Sequence, residues 1–156
     1  MTGGRRLVAR LDNIGDVLLT GPAVRAVAGD ESVTYIAGPS GVNAACLLPG
    51  VDDVLVYDAP WVPFDARPVD RGAMNFLISE VRERNVEFAV ILTSFHQSPL
   101  PLAMLLRLAG VARIAATCVD YPGALLDVRV PYHEHLHEVE QSLAVCKEAG
   151  FSLGPD

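Results

Sequence analysis

The stretch EFAVILTS, residues 87 to 94, constrains the fold of this chain most, because five apolar residues run without interruption from Phe88 to Leu92. A strand with one wet face alternates apolar and polar residues. A continuous apolar run suits the middle of a parallel sheet covered on both faces. Shorter runs of the same kind recur. RLVAR (6 to 10), SVTYIAG (32 to 38), DVLVYD (53 to 58) and RIAAT (113 to 117) read as further strands. Stretches of helical period lie between them. Residues 16 to 28 carry Val17, Leu18, Ala23, Val24 and Val27 on one side, with Pro22 marking a first turn or a kink. After a turn at Gly38-Pro39-Ser40-Gly41, residues 41 to 48 form a short helix closed by Pro49-Gly50. Residues 72 to 85 offer Phe76, Leu77, Ile78 and Val81 for burial. A leucine-rich helix follows over 99 to 109. Residues 120 to 131 hold a turn and a short extended piece. A last helix runs from about 135 to 149, with Leu136, Val139, Leu143 and Cys146 on one face and Gly150 at its end. Such alternation predicts an α/β fold: a Rossmann-like, mostly parallel sheet with helices on both faces and right-handed crossovers.

A chain of 156 residues, 51% hydrophobic and 20% charged, supports one domain with a substantial core. Residues 1 to 150 read as that domain, and 151 to 156 as the start of an interdomain linker or a tail. The formal charge of −7 argues against a broad nucleic-acid surface. No run of 18 apolar residues suggests a spanning helix, and the first residues lack the layout of a signal peptide, so a cytoplasmic location is expected. Cys46, Cys118 and Cys146 are odd in number and widely spaced, which suggests buried thiols rather than a disulfide framework or zinc site. The loop APWVPFDARPVDR, 59 to 71, is long enough to carry function. Its Arg67 and Arg71 are solvated charges or contacts for a phosphorylated ligand. Trp61 and Phe64 stack on a sugar or pack the loop down.

In open α/β sheets, ligands bind beyond the carboxyl ends of the strands. The corner LDNIGD, residues 11 to 16, lies there. Gly15 permits a tight turn or a close ligand, and free N–H groups at a helix start favour an anion. One glycine is too few for a dinucleotide fingerprint, and the lysine–serine pair of a phosphate loop is missing. Asp16 has two readings. As a helix cap or first-turn acid it stabilises the helix start, by roughly 0.5–2 kcal/mol if it is the cap. As a general base it removes a proton from a substrate hydroxyl. Asp12 reads as a turn residue. Arg10, at the strand end, is a solvated charge or touches an anionic group. Thr93, Ser94, His96 and Gln97 follow the central strand and point near the same edge, where they contact a ligand or cap the next helix with Ser98. His133, His135 and His137 alternate, a poor spacing for a helical metal site, and read as partly exposed capping residues.

The run RLDNIGDVLLTGPAVRAV resembles the opening of glycosyltransferase family 9, the ADP-heptose:lipopolysaccharide heptosyltransferases. CLLPGVDDVLVYD, LLRLAGVARI and VPYHEHLHEVEQSLAVCKEAG resemble later segments of the same N-terminal domain. The resemblance implies the N-terminal, acceptor-binding half of a GT-B enzyme. It implies an inverting transfer of a sugar from a nucleoside-diphosphate donor to an acceptor hydroxyl, with Asp16 as base. Arg10, Asp12, Asn13, Gly15, Thr93, Ser94, His96 and Gln97 are then the expected substrate contacts. No metal or bound cofactor is expected, and the donor is held mainly by a second domain beyond Asp156. The acceptor is a saccharide or glycolipid, the latter implying a peripheral approach to a membrane. The sequence departs from the family at Asp12-Asn13, where Ser-Ser is usual, and at Gln141, where Arg is often found. The alternative is a stand-alone Rossmann-like module that binds a phosphate or sugar without catalysis.

Overall fold

The computed structural model describes residues 4 to 65 and 67 to 155. Their six strands are β1 (Arg5–Arg10), β2 (Val33–Ala37), β3 (Val51–Val56), β4 (Val86–Ile91), β5 (Arg113–Thr117) and β6 (Val128–Val130). All pair in parallel, in the order β3-β2-β1-β4-β5-β6. This is the doubly wound order, which reverses between β1 and β4. The apolar run of β4 lies next to β1, as its composition requires, with Val8 opposite Val90 and Ala9 opposite Ile91. The extended piece predicted after β5 is β6, which closes one edge of the sheet.

Helices cover both faces. α4 (Arg71–Glu83) and α5 (Leu100–Leu108) bury Leu77, Val81, Leu102 and Leu106 against Leu7, Ala9, Ile36 and Ile91. On the opposite face, α1 (Ile14–Leu19), α2 (Gly21–Ala28), α3 (Val42–Ala45) and α6 (Glu138–Glu148) bury Val17, Val24, Val27, Ala45, Val145 and Cys146 against Val8, Tyr35, Ala37 and Val90. Successive strand residues therefore serve opposite cores, which is why neither set could be polar. No helix of the described residues is long and apolar enough to cross a membrane.

Five expectations need correction. The helix expected over 16 to 28 is two helices. Pro22 stands in the first turn of α2 and has no N–H to continue α1. Thr20 at the junction donates its hydroxyl proton back to the Val17 carbonyl at 2.6 Å. α6 begins at Glu138, not near 135, because His137 closes its first turn. Its Nδ1 accepts from the Val139 N–H at 3.3 Å, while its own N–H donates to Glu140 at 3.0 Å. The buried face of α6 is Gln141, Ser142, Val145 and Cys146 rather than Leu136, Val139 and Leu143. Phe76, expected inside, is 64% exposed, and Cys46 is also exposed. Cys118 and Cys146 are buried as expected, and burial pushes the Cys146 thiol up to about 12.

The turn Gly38-Pro39-Ser40-Gly41 has a packing reason. A Cβ on Gly38 would lie 2.7 Å from the Leu11 carbonyl oxygen, and one on Gly41 2.6 Å from Val17 Cγ2. The β2–α3 turn thus presses directly on the β1–α1 corner. Two glycines allow that approach.

Candidate functional site

The β1–α1 corner is built around a buried cation. Arg10, the last residue of β1, is 2% exposed. Its Nε donates to Asp12 Oδ2 at 2.6 Å and its Nη1 to Glu138 Oε2 at 3.2 Å. Its Nη2 lies 3.6 Å from Asp16 Oδ1, beyond hydrogen-bond length, and has no hydrogen-bond partner in the structure. Burial opposes the charge on Arg10, but the attraction and hydrogen bonds of Asp12 and Glu138 outweigh it and hold the guanidinium pKa above its usual value. Arg10 is therefore not the solvated strand-end charge that the sequence suggested. Asp12 is no open turn residue either: it is buried and bound to Arg10.

Asp16 does not cap α1. Asn13 does, its Oδ1 accepting from the Asp16 N–H at 3.2 Å. Asp16 stands in the first turn with its side chain 29% exposed. Its cap duty is taken by another residue, so its carboxylate is left to face Arg10 on one side and solvent on the other. Gly15 lies inside α1 without a positive φ. Its role in a tight turn is therefore lost, while its exposed surface leaves room above the corner. The N–H groups expected to draw an anion are partly engaged, Asp16 by Asn13 Oδ1 and Val17 by the Asn13 carbonyl at 3.1 Å.

The second expected cluster divides. Thr93 and Gln97 line a crevice with Leu11, Trp61, Ile91 and Leu102 at the β1/β4 switch point. Its free volume is only about 10 Å³, room for one water at most. Trp61 packs there and tilts over Tyr57 with ring centroids 5.7 Å apart. The loop is thus packed down by Trp61, while Phe64 is fully exposed. Ser94 starts a turn, its carbonyl accepting from the Gln97 N–H at 3.1 Å, and is half-buried. Ser98 accepts from the Leu100 N–H at 3.2 Å, the helix-start role weighed for it. His96 is exposed and meets Phe95 edge-on, at 5.4 Å between ring centroids. Phe95 in turn meets Tyr132 at 4.6 Å. This aromatic ledge at the ends of β4 and β6 was missed in the sequence, since Phe95 and Tyr132 are remote along the chain. Glu138 was missed for the same reason.

A cleft of about 250 Å³ opens on the other side of Leu11, lined by Gly38, Ser40, Tyr57, Asp58, Val62 and Arg67 among others. Arg67 is not free there, its Nη1 lying 2.7 Å from Asp58 Oδ2. Gln141, at the position where the resembled family often has Arg, is buried. It donates to Thr117 Oγ1 at 3.1 Å and to the Pro131 carbonyl at 3.3 Å, and accepts from the His133 N–H at 3.1 Å. It clamps the β6–α6 connection. The described residues form no group of three His, Cys, Asp or Glu side chains fit to hold a metal.

No protein-family model and no curated protein matches the chain. Solved structures do. The glycosyl transferase family 9 structure from Veillonella parvula DSM 2008 superposes with a TM-score of 0.75 at 15% identity, covering 96% of this chain and 42% of that one. The E. coli heptosyltransferase WaaC, solved with ADP-2-deoxy-2-fluoro heptose, gives a TM-score of 0.72 at 16% identity over 97% of this chain and 50% of that one. The E. coli ADP-heptose lps heptosyltransferase II gives 0.67 at 18% identity over 91% and 40%. The chain thus spans half or less of the length of each. At these identities the likeness is one of fold: a Rossmann-like α/β domain resembling the N-terminal domain of GT-B glycosyltransferases.

Proposed function

We propose that this chain is the acceptor-binding half of an inverting glycosyltransferase of the heptosyltransferase type, and that Asp16 is its general base. The observation that carries the reading is the state of Asp16. It is a half-open carboxylate at the carboxyl edge of the sheet, relieved of capping by Asn13 and backed by a buried cation. The fold likeness to glycosyltransferases supports it.

The chemistry is a single displacement. An acceptor hydroxyl lies against Asp16. Its oxygen attacks the anomeric carbon of the donor sugar as the bond from that carbon to the diphosphate oxygen breaks. Asp16 takes the hydroxyl proton, the nucleoside diphosphate leaves, and the anomeric configuration inverts. An aspartate is mostly ionised at pH 7 and so accepts the proton without prior activation. Asn13 and Gly15 border the acceptor. Thr93 and Gln97 stand behind Trp61 and act on the site through the loop. The donor is held by a second domain, and the reaction runs in the cytoplasm, at a membrane surface where the acceptor is lipid-linked.

The test is sugar transfer by the full-length gene product carrying Asp16→Asn. Turnover is expected to fall by about 10²–10⁴-fold, the usual worth of a positioned base, with an unchanged circular dichroism spectrum. Near-wild-type turnover would remove the base assignment. Tight binding of a nucleotide-sugar by these 156 residues alone would favour the stand-alone module instead.

A further inference from the structure

The two edges of the sheet are built differently. β6 is three residues long and carries Arg129, whose guanidinium donates to the Cys118 and Val119 carbonyls. A short edge strand bearing a charge is a poor template for another chain. β3 is six residues long, contains neither Lys nor Pro, and among the described residues pairs with β2 alone. Its two acids do not guard it. Asp52 accepts from Arg5 and Ser32, and Asp53 from Arg84 and Thr34, all in the same molecule. The Tyr57 N–H donates to the Ala37 carbonyl at 2.9 Å. Backbone groups alternate along a strand, so Leu55 and Tyr57 face β2 while Val54 and Val56 turn their N–H and C=O outward.

The side chains beside that row are a second, independent observation. A groove of about 340 Å³ runs between residues 54 to 58 and Ala73, Phe76, Leu77 and Glu80 of α4. Phe76, expected inside from its sequence, stands largely exposed at this groove, and Val56 is exposed too. An open row of backbone donors and acceptors is matched by another extended strand. The apolar rim is matched by apolar cover. A second copy of the chain supplies both at once. In an antiparallel pair of β3 strands, with a two-fold axis through Val54 and perpendicular to the sheet, Val56 lies opposite Asp52 of the second copy and Leu55 opposite its Asp53. The strands overlap over their full length. No carboxylate on one strand then lies opposite a carboxylate on the other, a pairing that would destabilise the contact. The same axis keeps both α4 helices on one face, so the two Phe76 rings approach the junction from opposite walls.

From this juxtaposition we infer that β3 is a self-association edge, and that two copies of the chain pair through it, antiparallel, into one continuous sheet with Phe76 of each over the junction. The interface is isologous: the same patch serves on both sides. It lies at the side of the sheet, away from the Asp16 corner, and leaves that corner open. The inference therefore stands or falls independently of the reaction proposed above.

Sedimentation equilibrium and amide hydrogen exchange of the chain test this together. At roughly 100 μM the mass is expected to approach twice that of the chain. Exchange at Val54 and Val56 is expected to slow as the concentration rises, while Leu55 and Tyr57, already turned to β2, stay protected throughout. Phe76→Lys is expected to weaken association about tenfold or more, the usual loss when a central aromatic contact is removed. Val56→Pro removes an outward N–H and none of the β2 ladder, and is expected to weaken it likewise. Leu108→Lys, at a comparably exposed apolar residue of α5, is expected to associate as the parent does. A chain that stays monomeric at roughly 100 μM overturns the inference and leaves the edge to an extended segment of another protein. A dimer in which Val54 and Val56 exchange freely overturns it too, as does one that Leu108→Lys dissociates. Parent-like association of Phe76→Lys with a native circular dichroism spectrum also overturns it, whether or not Val56→Pro folds.

Discussion

Arg10 illustrates how a single residue can be misjudged from its neighbours in sequence. A cation at a strand end is usually solvated, and nothing local in RLVARLD says otherwise. Its burial depends on Glu138, 128 positions away, which the fold brings to its Nη1. Replacing Arg10 by Met would leave buried Asp12 with no partner cation. Loss of one partner of a buried pair costs about 3–5 kcal/mol, so urea unfolding of Arg10→Met is expected to show a midpoint well below that of the parent. Gly38→Ala is the matching steric test. Its Cβ would meet the Leu11 carbonyl at 2.7 Å, a backbone contact that cannot rotate away. A loss of about 1–3 kcal/mol, the range for overpacking, is expected in the same unfolding measurement, with shifts at the amides of Leu11 to Asp16. An unperturbed corner would mean that β2–α3 does not press on it.

At the scale of elements, strand and helix existence was legible and helix ends were not. The apolar runs of β1, β2, β4 and β5 have no other use than a sheet covered on both faces. Ends depend on which of several polar residues supplies a cap. Asn13 and Asp16 are both good caps, and only the geometry assigns the duty to Asn13, which is what leaves Asp16 open. His137 is an unusual cap, so the start of α6 was placed too early. The break at Thr20 is held from outside the helix as well: its hydroxyl meets the buried Tyr35 hydroxyl at 2.9 Å. Burial, the first cause, pushes the Tyr35 pKa above its usual value. Thr20→Val keeps the shape of the side chain but removes Tyr35's partner. The expected cost is about 1–3 kcal/mol for a buried hydroxyl left unsatisfied. Thr20→Val paired with Tyr35→Phe is expected to recover part of that loss, because neither position then holds an orphaned group. A double variant no better than the single one would mean that the bond is dispensable.

At the scale of the molecule, the ion pairs that tie helices to the sheet set how the protein meets acid. Asp53 on β3 accepts from Arg84, which ends α4, at 2.5 Å, and this bond, with that of Thr34 and despite partial burial, holds its carboxyl below the usual range. Asp127 is also lowered: partial burial acts against it, but the Ile114 N–H at 2.7 Å and Arg107 at 2.6 Å prevail. A depressed carboxyl binds fewer protons folded than unfolded. Its contribution is present above the unfolded value of about 3.9 and is lost as the pH falls through the folded one. Stability is therefore expected to decline below about pH 4, and Asp53→Asn and Asp127→Asn to flatten that decline, as read from unfolding midpoints between neutral and acid pH. A parallel decline in both variants would assign acid sensitivity to other groups.

The plug at the switch point has a practical consequence. Trp61 is the chain's one tryptophan, and it lines the crevice at the ends of β1 and β4 together with Leu11. The molecule thus carries its own optical label one residue away from Asp12. Emission excited at the indole band comes from this place alone, so any ligand that lifts or tightens the 59 to 71 loop writes its occupancy into the colour and intensity of a single fluorophore.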